Sequence, residues 1–300
     1  MNSEQSYNVA GHIFKVSMPS VHPLWEKMAP YVPFLVDNDS VPITFTLRVV
    51  EDFDVDIKDF DALLFADHKE RWYDVGRSND GEYLFTMYSG LSGNCIGSMW
   101  ISADRGMVKL LPTGDVMEQF TAFHQTAQLG YVFATMHLHT LHIHSSAISN
   151  SGKGFLFMGR SGTGKSTHSR LWLKHIQGSE LMNDDNPVLR IVDGKAMVYG
   201  SPWSGKTACH RNISAPIGGF VRLRQSKENH IKQLSTIESY ASLSTSCSGL
   251  TWDKEFADAK ADTIQLLIAN VRCWQLDCLP DEAAVRLCAE SVRKEEPCLR

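Results

Sequence analysis

The apolar positions of this chain fall into two regimes. Between residues 1 and 112 they gather in short runs, Ile43 to Val50, Tyr83 to Tyr88 and Cys95 to Ile101, rich in β-branched and aromatic residues and separated by Asn, Asp and Gly clusters. Such runs suit a pleated, half-buried surface and predict strands. Beyond residue 112 the spacing lengthens: Val116, Phe120, Phe123, Ala127, Ala134 and Leu138 share one face of a helix from about 115 to 138, with Asp115 and Glu118 as a capping pair. The pattern predicts a β-rich domain over 1–112 and a second domain over 113–300, which that helix enters.

The second region alternates in type. A strand is predicted over Leu141 to Ser149, a tight turn at Asn150-Ser151-Gly152-Lys153, a buried strand at Phe155 to Met158, and a helix from Thr167 to Ile176 stopped by Gly178. Val188 to Val192 and Lys195 to Tyr199 flank Asp193-Gly194, a two-residue hairpin signal. Ile231 to Leu243 and Asp253 to Val271 carry helical periodicity; Trp274, Leu276 and Cys278 alternate as in a strand, and Asp281 to Arg293 returns to helix. These elements predict an α/β fold on a mixed sheet.

Composition narrows the classes. With 300 residues, 43% of them hydrophobic, the chain can bury two modest cores. A formal net charge of -5 and the lack of any Lys/Arg-rich run argue against nucleic acid as a partner. The first residues show no signal-peptide pattern and no run approaches the roughly 20 apolar residues of a membrane span, so a cytoplasmic protein without a membrane partner is expected. Seven cysteines, with no C-x-x-C pair, read as reduced structural thiols.

The pattern G-x-x-x-x-G-K-[ST] occurs twice, at Gly159-Arg160-Ser161-Gly162-Thr163-Gly164-Lys165-Ser166 and at Gly200 to Thr207. A phosphate cradle needs inward-facing backbone N–H groups, glycines where the chain turns sharply, and a helix N-terminus facing the anion. Only the first match lies between a predicted strand and a predicted helix. In the second, Pro202 removes a donor and no helical period follows, so that stretch is expected to be a loop that brings Lys206 toward the phosphates.

At the first match Lys165 is placed for the β and γ phosphates, the Ser166 hydroxyl for Mg²⁺, and Thr167 for the α-phosphate. Shortly after it stand Asn183, Asp184 and Asp185. One carboxylate of such a pair can serve the metal while the other takes a proton from an attacking hydroxyl, although the same residues are also good turn formers. His137, His139, His142 and His144 do not form a metal set by spacing, but His144 ends a strand leading to the loop and is a positioning or proton-handling candidate. Arg160, Lys206, His210 and Arg211 are candidate cations for charge on a transferred phosphoryl group, with Lys206 and Arg211 favoured because their loop contains glycine.

The run His144-Ser145-Ser146-Ala147-Ile148, the loop Gly159 to Ser166 and the trio Asn183-Asp184-Asp185 resemble the core of the HPr kinase/phosphorylase family, relatives of ATP-dependent phosphoenolpyruvate carboxykinase. The resemblance covers about residues 141 to 220. It implies a P-loop on a mixed sheet that binds ATP with Mg²⁺, Asp184 as the base that activates a serine hydroxyl, Asp185 near the metal, His144 beside the site, and a homo-oligomer, since the family forms hexamers. The family's glycine-rich C-terminal signature is not found here, so the implied acceptor is a serine on a peptide or small protein and not HPr in particular. Two other readings stay open at this level: a nucleotide-binding regulatory module without transfer, and a small-molecule kinase or carboxykinase-like enzyme.

Overall fold

A computed structural model describes residues 1–37, 42–53, 55–65, 72–90, 93–205, 207–250 and 252–293. The chain divides into two compact units, Met1–Thr135 and Met136–Arg300.

In the first unit, strands β1 (Asn2–Val9), β2 (His12–Pro19), β3 (Leu35–Val36), β4 (Ile43–Val49), β5 (Phe60–Phe65), β6 (Tyr73–Ser78), β7 (Tyr83–Tyr88), β8 (Cys95–Ile101) and β9 (Met107–Pro112) precede helix α1 (Val116–Thr135). Among the described residues the sheet runs β3-β1-β2-β4-β9-β8-β7-β6-β5. The expected capping pair forms: Asp115 Oδ1 accepts from the N–H groups of Met117 and Glu118, and Glu118 Oε2 accepts from Asp115 N at 3.1 Å. Helix α1 buries Ala122, Phe123, Ala127 and Tyr131 against β4, β8 and β9. The helix expected to open the second domain therefore lies in the first unit, and the division falls after Thr135, not after residue 112. The apolar face of α1 has this sheet as its partner, a tertiary pairing that periodicity does not encode.

The second unit comprises β10 (Thr140–His142), β11 (Ser145–Asn150), β12 (Lys153–Met158), α2 (Lys165–His175), β13 (Ser179–Asn183), β14 (Val188–Val192), β15 (Lys195–Tyr199), β16 (Ser214–Gln225), β17 (His230–Gln233), α3 (Thr236–Ser246), α4 (Lys254–Asn270), β18 (Cys273–Cys278) and α5 (Glu282–Arg293). Its sheet runs β10-β14-β15-β16-β12-β11-β13, with β18 beside β16 and β17 beside β18. Pairing is mixed: β12, β16 and β18 are parallel, whereas β11 is antiparallel to both β12 and β13. The period of two along β12 sends Leu156 and Met158 into a core with Leu243 of α3 and Ile264 and Leu267 of α4. Phe155 and Phe157 enter the opposite core with Trp172 of α2 and Val285 and Cys288 of α5. Both faces of the sheet are covered, which is why this strand reads as an unbroken apolar run.

Three segments differ from their expected form. The strand expected over Leu141 to Ser149 is two strands, because β10 pairs with β14 while β11 pairs with β12 and β13, and the chain changes partner at Ile143 and His144. The helix expected from Ile231 begins only at Thr236: residues 230–233 pair with β18, and Ser235 starts α3 with a capping box to Glu238. Residues from Ser214 to Gln225, for which the sequence shows only the lack of a helical period, form β16, whose Pro216 and paired glycines mask its strand character. At Gly218 an added Cβ would lie 2.7 Å from the Phe155 ring, and at Gly219 2.7 Å from that of Trp274. Aromatic rings from the flanking strands occupy the space those side chains would need.

Candidate active site

The strand–loop–helix order around Lys165 is realised: β12 ends at Met158, the loop spans Gly159 to Gly164, and α2 starts at Lys165. Gly162 and Gly164 have φ of +79° and +102°, and an added Cβ at either meets nothing within 4 Å. Their need for glycine is thus conformational, and the space above them stays open. Within the loop the Arg160 carbonyl accepts from both the amide and the hydroxyl of Thr163, and Gln225 Nε2 donates to Gly162 O at 3.1 Å.

Lys165 is only 8% exposed. Its Nζ donates to Gly159 O at 2.9 Å and to His144 Nε2 at 2.9 Å. Burial pushes the ammonium's pKa down and the nearby Asp185 carboxylate opposes that. Because the ammonium donates to Nε2, the neutral ring carries its proton on Nδ1, and Nδ1 lies 2.9 Å from Asp185 Oδ1. Lys165, His144 and Asp185 form one continuous hydrogen-bonded chain. His144 reaches both partners because it occupies the break between β10 and β11, where Ile143 N donates to Pro187 O and Ser145 N to Asp185 O.

The acidic residues follow β13 in a turn built on Asn183. The buried Asn183 Oδ1 accepts from Asp185 N and Asn186 N, both at 2.9 Å, while its Nδ2 donates to Ser201 Oγ at 3.0 Å. The residues do form a turn, and that turn places both carboxylates in the lining of the cavity beside the glycine loop. Asp184 is 7% exposed; its Oδ1 accepts from Gly205 N at 2.8 Å and its Oδ2 from Thr207 N at 2.9 Å. This grips the loop between β15 and β16. The sequence marks Asn183 as a turn former beside the carboxylates and Ser201 and Gly205 as members of the second glycine motif, but predicts none of these contacts.

A cavity of about 410 Å³ brings together His144, Ser161, Gly162, Gly164, Lys165, Ser166, Thr167, Asp184, Asp185 and Gly205. Gly159, Arg160 and Thr163 instead line an adjoining hollow of about 590 Å³ with Arg222 and Arg224. Arg211 is not brought to the carboxylates: its guanidinium donates to Leu181 O at 2.8 Å and to Glu180 Oε2 at 2.7 Å. His210 Nδ1 lies 3.0 Å from Ser204 Oγ. Lys206 lies outside the described residues. The second G-x-x-x-x-G-K-[ST] match is a loop pinched at its base, where Gly200 N donates to Ile213 O and an added Cβ on Gly200 would lie 2.0 Å from Arg211 O.

The other histidines of the dense run disperse. His137 pairs with Glu255 at 2.8 Å, and His142 is buried beside the Trp203 ring. Among the described residues no group of three or more His, Cys, Asp or Glu is arranged to hold a metal ion. The Ser166 hydroxyl and the Asp185 carboxylate are hard oxygen donors in one cavity, which fits a Mg²⁺ that takes its remaining ligands from phosphate and water.

Fold and site together define a mixed α/β protein with a strand–glycine loop–helix unit facing a pair of carboxylates. No family model matches the chain, and no curated protein matches it in sequence. Among solved structures it is similar to that of the Hpr(Ser) kinase/phosphatase from Coxiella burnetii, with 11% identity and a TM-score of 0.30, over 51% of this chain and 88% of that one. Among the described residues no helix is long and apolar enough to cross a membrane.

Proposed function

We propose that the protein is a Mg²⁺-dependent, ATP-using kinase that transfers the γ-phosphoryl group to a hydroxyl, most simply the serine of a peptide or small protein. The observation that carries this reading is the convergence of Lys165, His144, Asp184 and Asp185 on one cavity at the glycine loop.

The loop amides and the N-terminus of α2 hold the phosphate chain, and the Lys165 ammonium neutralises the β and γ oxygens. Ser166 and Asp185 would hold Mg²⁺, which supplies charge neutralisation on the phosphates when bound. Asp184 accepts the proton of the attacking hydroxyl; its oxygen forms the new bond to the γ-phosphorus as the bond from that phosphorus to the bridging oxygen breaks and ADP leaves. The Gly205 and Thr207 N–H groups orient the carboxylate for this task, and each of its oxygens keeps a lone pair. His144 joins Lys165 to Asp185 and sets the orientation of both.

The same convergence disfavours a non-catalytic nucleotide-binding module, for which no carboxylate beside the γ-phosphate is needed. Incubation with γ-labelled ATP and a cell extract should label an acceptor. The variant Asp184→Asn should lower transfer about 10²- to 10⁴-fold, the usual worth of a general base, while MgATP binding persists; unchanged turnover would defeat the base assignment. Lys165→Ala should lose binding itself.

A further inference from the structure

The glycine loop also borders a second cavity, of about 560 Å³, that the transfer chemistry does not use. The parallel strands β12, β16 and β18 all deliver their carboxyl ends to it. Beyond β12 lies the loop, β16 ends at Gln225, followed by Ser226, and β18 ends at Cys278, followed by Leu279 and Pro280. The crevice outside the carboxyl ends of parallel strands is where open α/β sheets take their ligands.

A second observation comes from His168, in the first turn of α2. It lines this cavity, is 4% exposed, and packs its ring edge-on to Phe157 with centroids 4.7 Å apart. Its Nε2 is buried without a hydrogen-bond partner among the described residues. The imidazole gives this part of the wall a flat surface, while its Nε2 is closed off from the cavity by burial.

The walls set the chemistry. Leu223, Leu279 and Pro280 give an apolar surface beside the His168 ring, while Gln225 and Ser226 supply a few polar groups, the make-up of a slot for a flat ring with hydrogen-bonding edges. Because the Gln225 amide N–H already goes to Gly162 O, its carbonyl oxygen is left to accept from an exocyclic amino group. Direction follows from Thr167, which lines both cavities. A phosphate chain with its terminal group at Lys165 and its inner group at Thr167 leads onward into this second space.

We propose that this cavity binds the purine nucleoside of the nucleotide, with the ring against Leu223, Leu279 and Pro280 and a hydrogen bond to the side-chain carbonyl of Gln225. The proposal rests on the reading of the glycine loop as the phosphate cradle, and adds which side chains make the protein prefer a nucleotide to bare polyphosphate.

The full chain is titrated by calorimetry with ATP and with inorganic tripolyphosphate, each with Mg²⁺. ATP should bind at least about tenfold more tightly, equivalent to about 1.4 kcal/mol. Ser226→Phe, which fills the cavity from its rim, should remove that advantage and leave tripolyphosphate affinity unchanged. On the unsubstituted protein, alkylation of Cys278 by iodoacetamide, followed by mass spectrometry with the exposed Cys95 as internal reference, should be slowed by ATP and not by tripolyphosphate. Equal affinities, or equal alkylation rates with the two ligands, overturn the nucleoside pocket and leave the phosphate cradle standing. Failure of both ligands to bind overturns the cradle and the pocket together.

Discussion

Burial holds the His168 imidazole neutral, with its pKa pushed down to about 4 from an ordinary 6.5. The unfolded ring takes up its proton near 6.5 and the folded ring only near 4, so within that window the unfolded state binds more protons. Stability therefore falls as pH drops from 6.5 toward 4, by about 3 kcal/mol in total, and this contribution is complete above 6.5. Fully buried His142, pushed down to about 3, acts in the same direction. Urea unfolding midpoints measured between pH 7.5 and 4.5 should decline, and His168→Phe should flatten part of the slope; an unchanged slope would show that His168 is not its source. Two buried cysteines carry thiols held protonated by burial, which pushes Cys247 up to about 12 and Cys273 to about 11. At this scale Lys165, Asp184, Asp185 and His144 were legible because their types and order carry chemistry. His168 was not, because a histidine on a helix is unremarkable until its surroundings are known.

Two glycines of the same supersecondary unit answer to different physics. At Gly164 the φ of +102° makes any side chain strained although nothing crowds it, so Gly164→Ala should cost about 1–2 kcal/mol. Its methyl would also stand over the loop where the phosphates are proposed to lie, and MgATP binding should be lost. At Gly154, on β12, an added Cβ would lie 2.3 Å from Val198 Cγ1. Gly154→Ala should therefore cost about 1–3 kcal/mol by overpacking and leave nucleotide affinity within about twofold. Denaturation and binding measured on both variants separate these outcomes; loss of binding in Gly154→Ala alone would place the cradle elsewhere. Element type was legible where one force dominates, as in the Asp193-Gly194 hairpin, whose φ values are +48° and +74°. It was hidden in β16, where glycines exist to admit the rings of Phe155 and Trp274 and so read locally as loop.

For the whole chain, two compact units make unfolding a question asked of each. A ligand held by the glycine loop stabilises the unit from Met136 onward: MgATP at 100 times its Kd should add about 2.7 kcal/mol to that unit. Calorimetry should show one transition rising with ATP concentration and no shift in Lys165→Ala; a shift of equal size in that variant would remove Lys165 from the binding site.

The order of residues alone determined what neighbours in the chain decide between themselves: strand, loop and helix around Lys165, the turn at Asn183, the cap at Asp115, and the chemical types available at the site. Only the tertiary structure decided what depends on partners distant in sequence. It set α1 against the first sheet, broke the strand at His144 so that the ring meets Lys165 and Asp185, turned Arg211 toward Glu180, and closed Asp184 on the amides of Gly205 and Thr207. The physical reason is that periodicity and turn chemistry record a residue's own conformational preference. Burial, register and hydrogen-bond partners are properties of the pairs that folding brings together.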